Sequence, residues 1–215
     1  MKTFTIALLG VTAYFTRALA VPFKPENSLQ GREVFTPEWE VEVTPGGETV
    51  VLNGTIEEVH TQLLKLNPTW DADFPDNDLD KRQTDFSDWS DGSAALQKRT
   101  DFSNSQYNCF GRWGFVDREH IQRGINYLSR VTGRPRNGAG PGNCGRVSCS
   151  YNSAIYWCND SDTTKTLWRF SSIADGAQYI MQMCQDRQSR PVKSLTGGQA
   201  FHKTNWNVIV RTDKC

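Results

Sequence analysis

Six cysteines are the residues of this 215-residue chain whose type and number most clearly indicate a chemistry. They all lie in the C-terminal half: Cys109, Cys144, Cys149, Cys158, Cys184 and Cys215. An even number of cysteines in a short domain of the secretory pathway predicts three disulfides, and six cysteines allow 15 pairings. Zinc is the alternative, but no C-x2-C pair occurs, and neither His120 nor His202 adjoins a cysteine pair. We therefore predict three disulfides, no metal and no cofactor.

Two dibasic sites indicate proteolytic processing. Residues 79–82 and 96–99 both have the pattern L-x-K-R, and a T-D-F-S string follows each of them within two residues. The pattern resembles the site cut by kexin-type proteases of the fungal secretory pathway. The surrounding Asp- and Ser-rich composition is typical of a solvated linker. We predict cleavage at Lys81-Arg82 and Lys98-Arg99, with Thr100 as the main new N-terminus and Gln83 as a minor one.

The N-terminus has the features of a secretory signal peptide. Lys2 is basic, residues 4–15 are mostly apolar, and Ala18-Leu19-Ala20 has the small-x-small pattern, so we place the cut after Ala20. The apolar stretch is too short to span a bilayer, and no later segment is apolar enough. The predicted product is secreted and extracellular. The predicted order is a signal peptide (1–20), an acidic propiece (21–82), a second processed linker (83–99) and a mature six-cysteine domain (100–215).

Charge divides the chain at the same point. The total is 24 basic and 24 acidic residues, but 9 basic and 16 acidic residues lie up to Arg99, against 15 and 8 from Thr100 onward. Such an asymmetry is informative where the total is not. We predict that the acidic propiece binds the basic domain and that salt weakens this contact.

One enzymatic interpretation of the mature domain is a secreted ribonuclease, which would use His, Glu and Arg around a phosphate. The available side chains are Glu119, His120, His202 and Arg211, and a basic domain favours RNA. However, adjacent residues on a helix diverge by about 100°, so Glu119 and His120 do not readily face one phosphate. No G-x-S-x-G motif occurs, and a single Glu disfavours a glycosidase. We predict a binding protein and keep the ribonuclease as the alternative.

The binding hypothesis uses arginines and aromatic side chains. Arg134, Arg136 and Arg146 flank a Gly- and Pro-rich loop, and Tyr151, Tyr156 and Trp157 follow it. Arginine beside aromatic rings binds anionic or carbohydrate-rich surfaces. In the alternative interpretation the rings pack in the core and the arginines are solvated. We predict Arg134, Arg136 and Arg146 as binding residues for an unidentified host or microbial surface.

Two helices and two pairs of strands are predicted to position these residues. The first helix is capped by Asp117 and buries Ile121, Ile125 and Leu128. Strands follow at 147–151 and 154–158 around an Asn152-Ser153 turn. A second helix is capped by Ser172, and its inner face is Ile173, Ala177, Ile180, Met181 and Cys184. The last two strands are 199–202 and 206–211. The predicted fold is α+β, a small disulfide-stapled sandwich of an antiparallel sheet with two helices.

The propiece is predicted to contain a hairpin and a helix. Trp39, Val41 and Val43 alternate with polar residues before a turn, and Thr55-Ile-Glu-Glu58 is a capping box that begins a helix. A unit of this size is rarely stable alone, so we expect it to fold against the mature domain or to be marginally ordered. Asn53 and Asn159 are predicted glycosylation acceptors.

The helical pattern also suggests disulfide pairings. The inner face of the second helix places Cys184 over the sheet, which favours a bond with Cys149 or Cys158. Cys109 and Cys215 lie near the two ends of the domain, so we predict that they pair with each other.

Residues 140–160, G-P-G-N-C-G-R-V-S-C-S-Y-N-S-A-I-Y-W-C-N-D, resemble the central block of a family of small secreted, kexin-processed, effector-like proteins of filamentous fungi. The I-x-x-G-I-x-Y-L helix and the closing W-N-V-I-V-R strand are similar as well. The element order further resembles that of necrosis-inducing extracellular effectors and smut killer toxins, which are cysteine-stapled α/β sandwiches. The resemblance implies secretion and an effector-like or toxin-like role, and it transfers no catalytic residues.

Overall fold

The computed structural model describes Leu29 and residues 34–75, 100–186 and 194–215. The predicted processing residues lie outside the described residues: Ala20, Lys81, Arg82, Lys98 and Arg99. In the described ranges no helix combines the length and the apolar composition that crossing a bilayer requires.

The described residues of the predicted propiece (21–82) contain three strands and two helices. In chain order they are β1 (Val34–Phe35), β2 (Glu38–Glu42), β3 (Thr49–Asn53), α1 (Ile56–Leu66) and α2 (Trp70–Asp73). The predicted hairpin is β2 with β3, and α1 begins with the predicted capping box of Thr55 and Glu58. The hairpin and helix of the propiece are therefore confirmed.

The six-cysteine domain contains nine described strands, two α-helices and a short 3-10 helix. They are β4 (Tyr107–Cys109), the 3-10 helix (Gly111–Trp113), β5 (Val116–Asp117), α3 (Arg118–Arg130), β6 (Arg136–Asn137), β7 (Asn143–Ser150), β8 (Ser153–Asn159), β9 (Lys165–Thr166), α4 (Ser171–Met183), β10 (Leu195–Thr196), β11 (Gly198–His202) and β12 (Trp206–Thr212).

The main sheet has six strands in the order β1-β7-β8-β12-β11-β4. Every neighbouring pair is antiparallel except β1 with β7. The β7–β8 turn is Tyr151-Asn152 and not the predicted Asn152-Ser153, because both residues adopt the left-handed φ (47° and 58°) of a tight two-residue hairpin turn. Strand β7 also begins earlier than the predicted Val147. It starts at Asn143, directly after the Gly- and Pro-rich loop, because Asn143 already pairs with Asn159.

Both predicted helices pack on one face of this sheet. Asp117 caps α3 as predicted, since its carboxylate accepts a hydrogen bond from the Glu119 amide at 2.9 Å. The predicted Ser172 cap is wrong: α4 begins at Ser171 after Phe170, so Ser172 lies inside the first turn. The buried face of both helices joins the sheet in one core. The α+β fold with two helices on an antiparallel sheet is confirmed.

All six cysteines form disulfides, as predicted, but the predicted pairings are wrong. The bonds are Cys109–Cys184, Cys144–Cys158 and Cys149–Cys215. The end of α4 lies over the β11–β4 edge of the sheet, where Cys109 pairs with Gly198, and not over β7 and β8. The C-terminus returns beside the β7–β8 turn because β12 runs antiparallel to β8, which brings Cys215 to Cys149.

Candidate functional site

Arg134 and Arg136 lie on the segment that follows α3. Strand β6 pairs Arg136 with Thr166 of β9, and the Leu167 amide donates to the Pro135 carbonyl at 3.0 Å. This pairing brings Trp168 to Arg134, whose guanidinium carbon lies 5.3 Å from the Trp168 ring centre.

We name Arg134, Arg136 and Trp168 the Arg–Trp patch. Trp168 is 73% exposed, the highest fraction among the exposed large apolar side chains of the described residues. Sequence reasoning missed Trp168 because it lies 34 positions after Arg134. One pattern could have indicated an exposed Trp168. It lies between the short strand β9 and helix α4, and it fits the apolar spacing of neither element.

Arg146 is not part of this patch. It lies on β7, and its guanidinium contacts the Asp213 carboxylate at 3.5 Å and the Lys214 carbonyl at 2.9 Å. Asp213 also accepts a hydrogen bond from the hydroxyl of Tyr156, and burial together with this bond raises the pKa of Tyr156. Tyr156 and Trp157 are buried, so for these two rings the core interpretation is correct.

The predicted propiece contacts the domain at residues that precede Arg134 and follow Trp168 in the sequence. Trp39 of β2 is fully buried and stacks on Phe170 with ring centres 4.3 Å apart. The Glu42 amide donates to the Thr132 hydroxyl at 3.3 Å. Gly133 has a φ of 98°, and a Cβ there would lie 2.3 Å from the Glu40 carbonyl oxygen, so only glycine permits this approach.

Helix α1 supplies a carboxylate to the open edge of β7. The β7–β8 pairing shifts register between Arg146 and Ser148, and β1 covers β7 only at Cys144 and Gly145. The Cys149 amide therefore needs another acceptor, because an unpaired strand edge leaves its polar groups unsatisfied. Glu57 fills this role: its carboxylate accepts from the Cys149 amide at 2.9 Å and from the Ser148 hydroxyl.

A second charged contact lies at the end of α3. The Arg130 guanidinium donates to the Asp71 carboxylate at 2.9 Å, and the ring of His60 lies 4.5 Å from that of Tyr127. Partial burial acts to raise the pKa of Asp71. The hydrogen bond from His60 and the positive charges of His60 and Arg130 act in the opposite direction and are stronger, so the pKa of Asp71 is lowered overall. Asp71 is therefore suited to remain ionised beside Arg130.

We name the domain surface that the propiece contacts the covered face. Its members are Tyr127, Arg130, Thr132, Gly133, Cys144, Gly145, Ser148, Cys149 and Phe170. Apolar side chains of the hairpin and of α1 share one core with α3 and α4. An ion pair joins the two parts at Asp71 and Arg130, whereas Glu57 accepts hydrogen bonds from neutral groups, the Ser148 hydroxyl and the Cys149 amide.

The residues of the ribonuclease hypothesis are not brought together. The ring of His120 stacks on Tyr151 at 4.5 Å, beside the start of β8. His202 contacts Trp206, which pairs with Asn159 at the other end of β8. Six residue steps along a strand span about 20 Å, so the two histidines do not act on one phosphate. Glu119 forms an ion pair with Arg123 on the outer side of α3, and Arg211 donates from Nε to the Thr212 carbonyl.

The two predicted glycosylation acceptors have different surroundings. Asn53 is exposed at the end of β3. Asn159 is fully buried, and its amide nitrogen donates to the carbonyls of Gly138 and Thr163, both at 2.7 Å. A glycan on Asn159 would require the loss of both hydrogen bonds, so the folded domain does not present this acceptor.

No protein-family model, curated protein or solved structure matches the chain.

Proposed function

We propose that this chain is the precursor of a secreted, effector-like or toxin-like protein. In this proposal, dibasic cleavage separates the acidic propiece from the six-cysteine domain, which then binds a target on a host or a competing microbe. The Arg–Trp patch, extended by the covered face, is the binding surface.

The exposure of Trp168 beside Arg134 is the observation that carries the proposal. Burying the exposed indole against a partner would contribute about 2–3 kcal/mol to binding. Tryptophan and arginine are also the residue types enriched at the energetic centres of interfaces. Asp and Glu are few in the domain, which favours an anionic or hydroxyl-rich target.

Processing would enlarge this surface. Phe170 lies two residues from Trp168 and is buried in part by Trp39 of the propiece. Departure of the propiece would expose Phe170 next to Trp168, together with the polar atoms of Ser148 and Cys149. The propiece thus both completes the core during folding and delays exposure of an apolar surface.

Trp168→Ala should abolish most of the biological response while leaving the domain folded, because truncation of a central interface tryptophan typically costs at least about 2 kcal/mol, or roughly 30-fold in affinity. The measurement is the half-maximal dose of the secreted protein in infiltrated plant tissue and in growth of competing microbes. Phe115→Ala is the matched control, because Phe115 is 53% exposed and belongs to neither the Arg–Trp patch nor the covered face.

Equal losses for the Trp168 and Phe115 variants would contradict this binding surface. Cleavage of RNA by the wild type, with loss of cleavage and of response in both His120→Ala and His202→Ala, would support the ribonuclease instead.

Asp175→Asn tests the predicted N-terminus at Thr100. The Thr100 nitrogen donates to the Asp175 carboxylate at 2.7 Å. Cleavage after Arg99 would convert this amide into an ammonium group, and charged partners roughly double the strength of a hydrogen bond. We therefore expect Asp175→Asn to lower the free energy of unfolding of the cleaved form by about 2 kcal/mol and that of an uncleavable Lys98→Gln/Arg99→Gln chain by about 1 kcal/mol.

Urea denaturation measures the free energy of unfolding of the cleaved and the uncleavable form. In each form, the Asp175→Asn variant is compared with the same form that retains Asp175. An equal loss in the two forms would show that the new terminus does not pair with Asp175.

A further inference from the structure

Strand β7 contains a β-bulge that determines which face of the sheet its second cysteine occupies. The β7–β8 pairing is regular up to Arg146 and again from Ser148, so Val147 is the extra residue. Successive residues of a strand alternate between the two faces of a sheet, and Cys144 and Cys149 are five positions apart. A regular strand would therefore place these two cysteines on opposite faces.

The bulge brings both cysteines to the face of the sheet opposite α3 and α4. Cys144 and Cys149 belong to the apolar cluster on that face, whereas Val147 packs in the core beneath the helices. Ser148 also faces α3, because a Cβ on Gly124 would lie 2.3 Å from its hydroxyl oxygen. Two consecutive residues thus point to the helices, which shifts the alternation by one position from Ser148 onward.

The disulfide partner of Cys149 lies on the same face of the sheet. Asp213 accepts hydrogen bonds from Arg146 and from Tyr156, which belongs to the same apolar cluster. These bonds hold the C-terminal segment where Cys215 bonds to Cys149. Without the bulge, the Cys149 side chain would point to the helices and away from Cys215.

Loop length favours a different partner for Cys149. Cys158 is nine positions from Cys149, whereas Cys215 is 66 positions away. Because the entropic cost of closing a loop rises with its length, an unfolded chain forms the non-native Cys149–Cys158 pair more readily than the native one. The native bond therefore depends on structure that forms before the cysteines are oxidised.

Glu57 of the propiece holds the bulge. Its carboxylate accepts hydrogen bonds from the Ser148 hydroxyl and from the Cys149 amide at 2.9 Å, directly after the extra residue. Hydrogen bonds to a carboxylate are roughly twice as strong as those between neutral groups. Before the bulge, strand β1 pairs with β7 at Cys144 and Gly145. The propiece therefore fixes β7 on both sides of the bulge.

We propose that the propiece directs the oxidative pairing of Cys149 with Cys215, with Glu57 as the positioning residue. Glu57 selects the face on which the Cys149 sulfur lies, and that face contains the Cys215 sulfur. The proposal rests on the proposed function in one respect, which is that the propiece is a removable segment. The disulfide that it directs would remain after the propiece has left.

The co-reactant is a disulfide oxidant of the glutathione type. The thiolate of one cysteine attacks a sulfur atom of the oxidant, forms a mixed disulfide and releases one glutathione thiolate. The thiolate of the other cysteine attacks the protein sulfur of that mixed disulfide, forms the Cys149–Cys215 bond and releases the second glutathione thiolate. Two protein thiols are oxidised, the oxidant is reduced to two thiols, and the two protons of the cysteines pass to the glutathione thiolates.

Oxidative refolding of the uncleaved chain tests the proposal. The reduced chain is oxidised in a glutathione buffer and its remaining thiols are alkylated. The disulfide pairs in all of the protein, soluble and aggregated, are then mapped by mass spectrometry. We expect Glu57→Ala to lower the fraction of Cys149 bonded to Cys215 about fivefold, the factor that corresponds to loss of one hydrogen bond of ordinary strength, with Cys144 or Cys158 as the new partner.

Glu38→Ala is the matched control, because it removes a propiece carboxylate from an exposed position on β2, and it should pair as the parent does. The Cys109–Cys184 bond is the internal reference, because it lies at the β4 edge, the far end of the sheet from β1. Its yield should be the same in Glu57→Ala and in the parent.

Two results would overturn the proposal. An unchanged yield of Cys149–Cys215 in Glu57→Ala would show that Glu57 does not select the pairing. An equal loss of Cys149–Cys215 and Cys109–Cys184 would show that Glu57 contributes only general stability. Because the chain is uncleaved and no target is present, neither result bears on the binding function, which Trp168→Ala tests separately.

Discussion

Trp39→Ala should lower the free energy of unfolding of the uncleaved chain by about 3–5 kcal/mol, the usual cost of truncating a large buried aromatic residue. Trp39 is fully buried, stacks on Phe170, and donates from its indole nitrogen to the Gly54 carbonyl at 2.8 Å. The variant therefore leaves a cavity in the core that the propiece and the domain share, and an acceptor without its donor. Urea denaturation of an uncleavable chain measures the effect.

Val51→Ala is the matched control for Trp39→Ala. Val51 lies on the same hairpin but is 64% exposed, so its truncation should change stability by less than about 0.5 kcal/mol. The double variant Trp39→Ala/Phe170→Ala should cost less than the sum of the single variants, because a stacked aromatic pair contributes about 0.5–1.5 kcal/mol beyond its burial. A loss for Trp39→Ala no larger than that for Val51→Ala would mean that the hairpin is not part of the core.

Removing the Cys109–Cys184 bond, with both cysteines changed to alanine, should cost about 4 kcal/mol. The bond closes a loop of 75 residues, and the chain-entropy estimate of disulfide stabilisation grows with the length of the closed loop. It also ties the edge strand β4 to the end of α4. Equilibrium unfolding in urea measures the loss, with the slope of the unfolding free energy against urea concentration held equal for the variant and its parent.

Removing the Cys144–Cys158 bond is the comparison for the Cys109–Cys184 variant. It closes only 14 residues within a hairpin that backbone pairing already holds, so we expect a smaller loss of about 3 kcal/mol. A loss for Cys144–Cys158 that equals or exceeds the loss for Cys109–Cys184 would contradict the loop-length explanation and would point to strain or packing at the hairpin instead.

Both predictions bear on the stability that the six-cysteine domain would retain after the propiece is removed. Trp39 and α1 complete a core that the small domain does not fill alone. Three disulfides hold the remaining strands and helices when that contribution is removed. Disulfides formed while the propiece is bound would therefore retain a fold with an exposed apolar face, as the proposed binding function requires.

The sequence alone determined the features that depend on neighbouring residues. The Asp117 cap and the spacing of Ile121 and Ile125 predicted α3, and the capping box predicted α1, because helix starts and helix faces follow from residues three or four positions apart. The oxidised state of the cysteines also followed from their number. The predicted position of the β7–β8 turn was wrong by one residue. A Tyr-Asn pair gives no strong local indication that both Tyr151 and Asn152 adopt the left-handed conformation.

Only the tertiary structure decided which distant residues meet. The pairing of Cys109 with Cys184 depends on the strand order, which places β4 at the far edge of the sheet. Arg146 lies close to Arg134 and Arg136 in sequence but points to Asp213, whereas Trp168, farther along the chain, reaches Arg134 through the β6–β9 pairing. Such contacts arise from the combined burial of many side chains across the whole chain, and no local pattern encodes them.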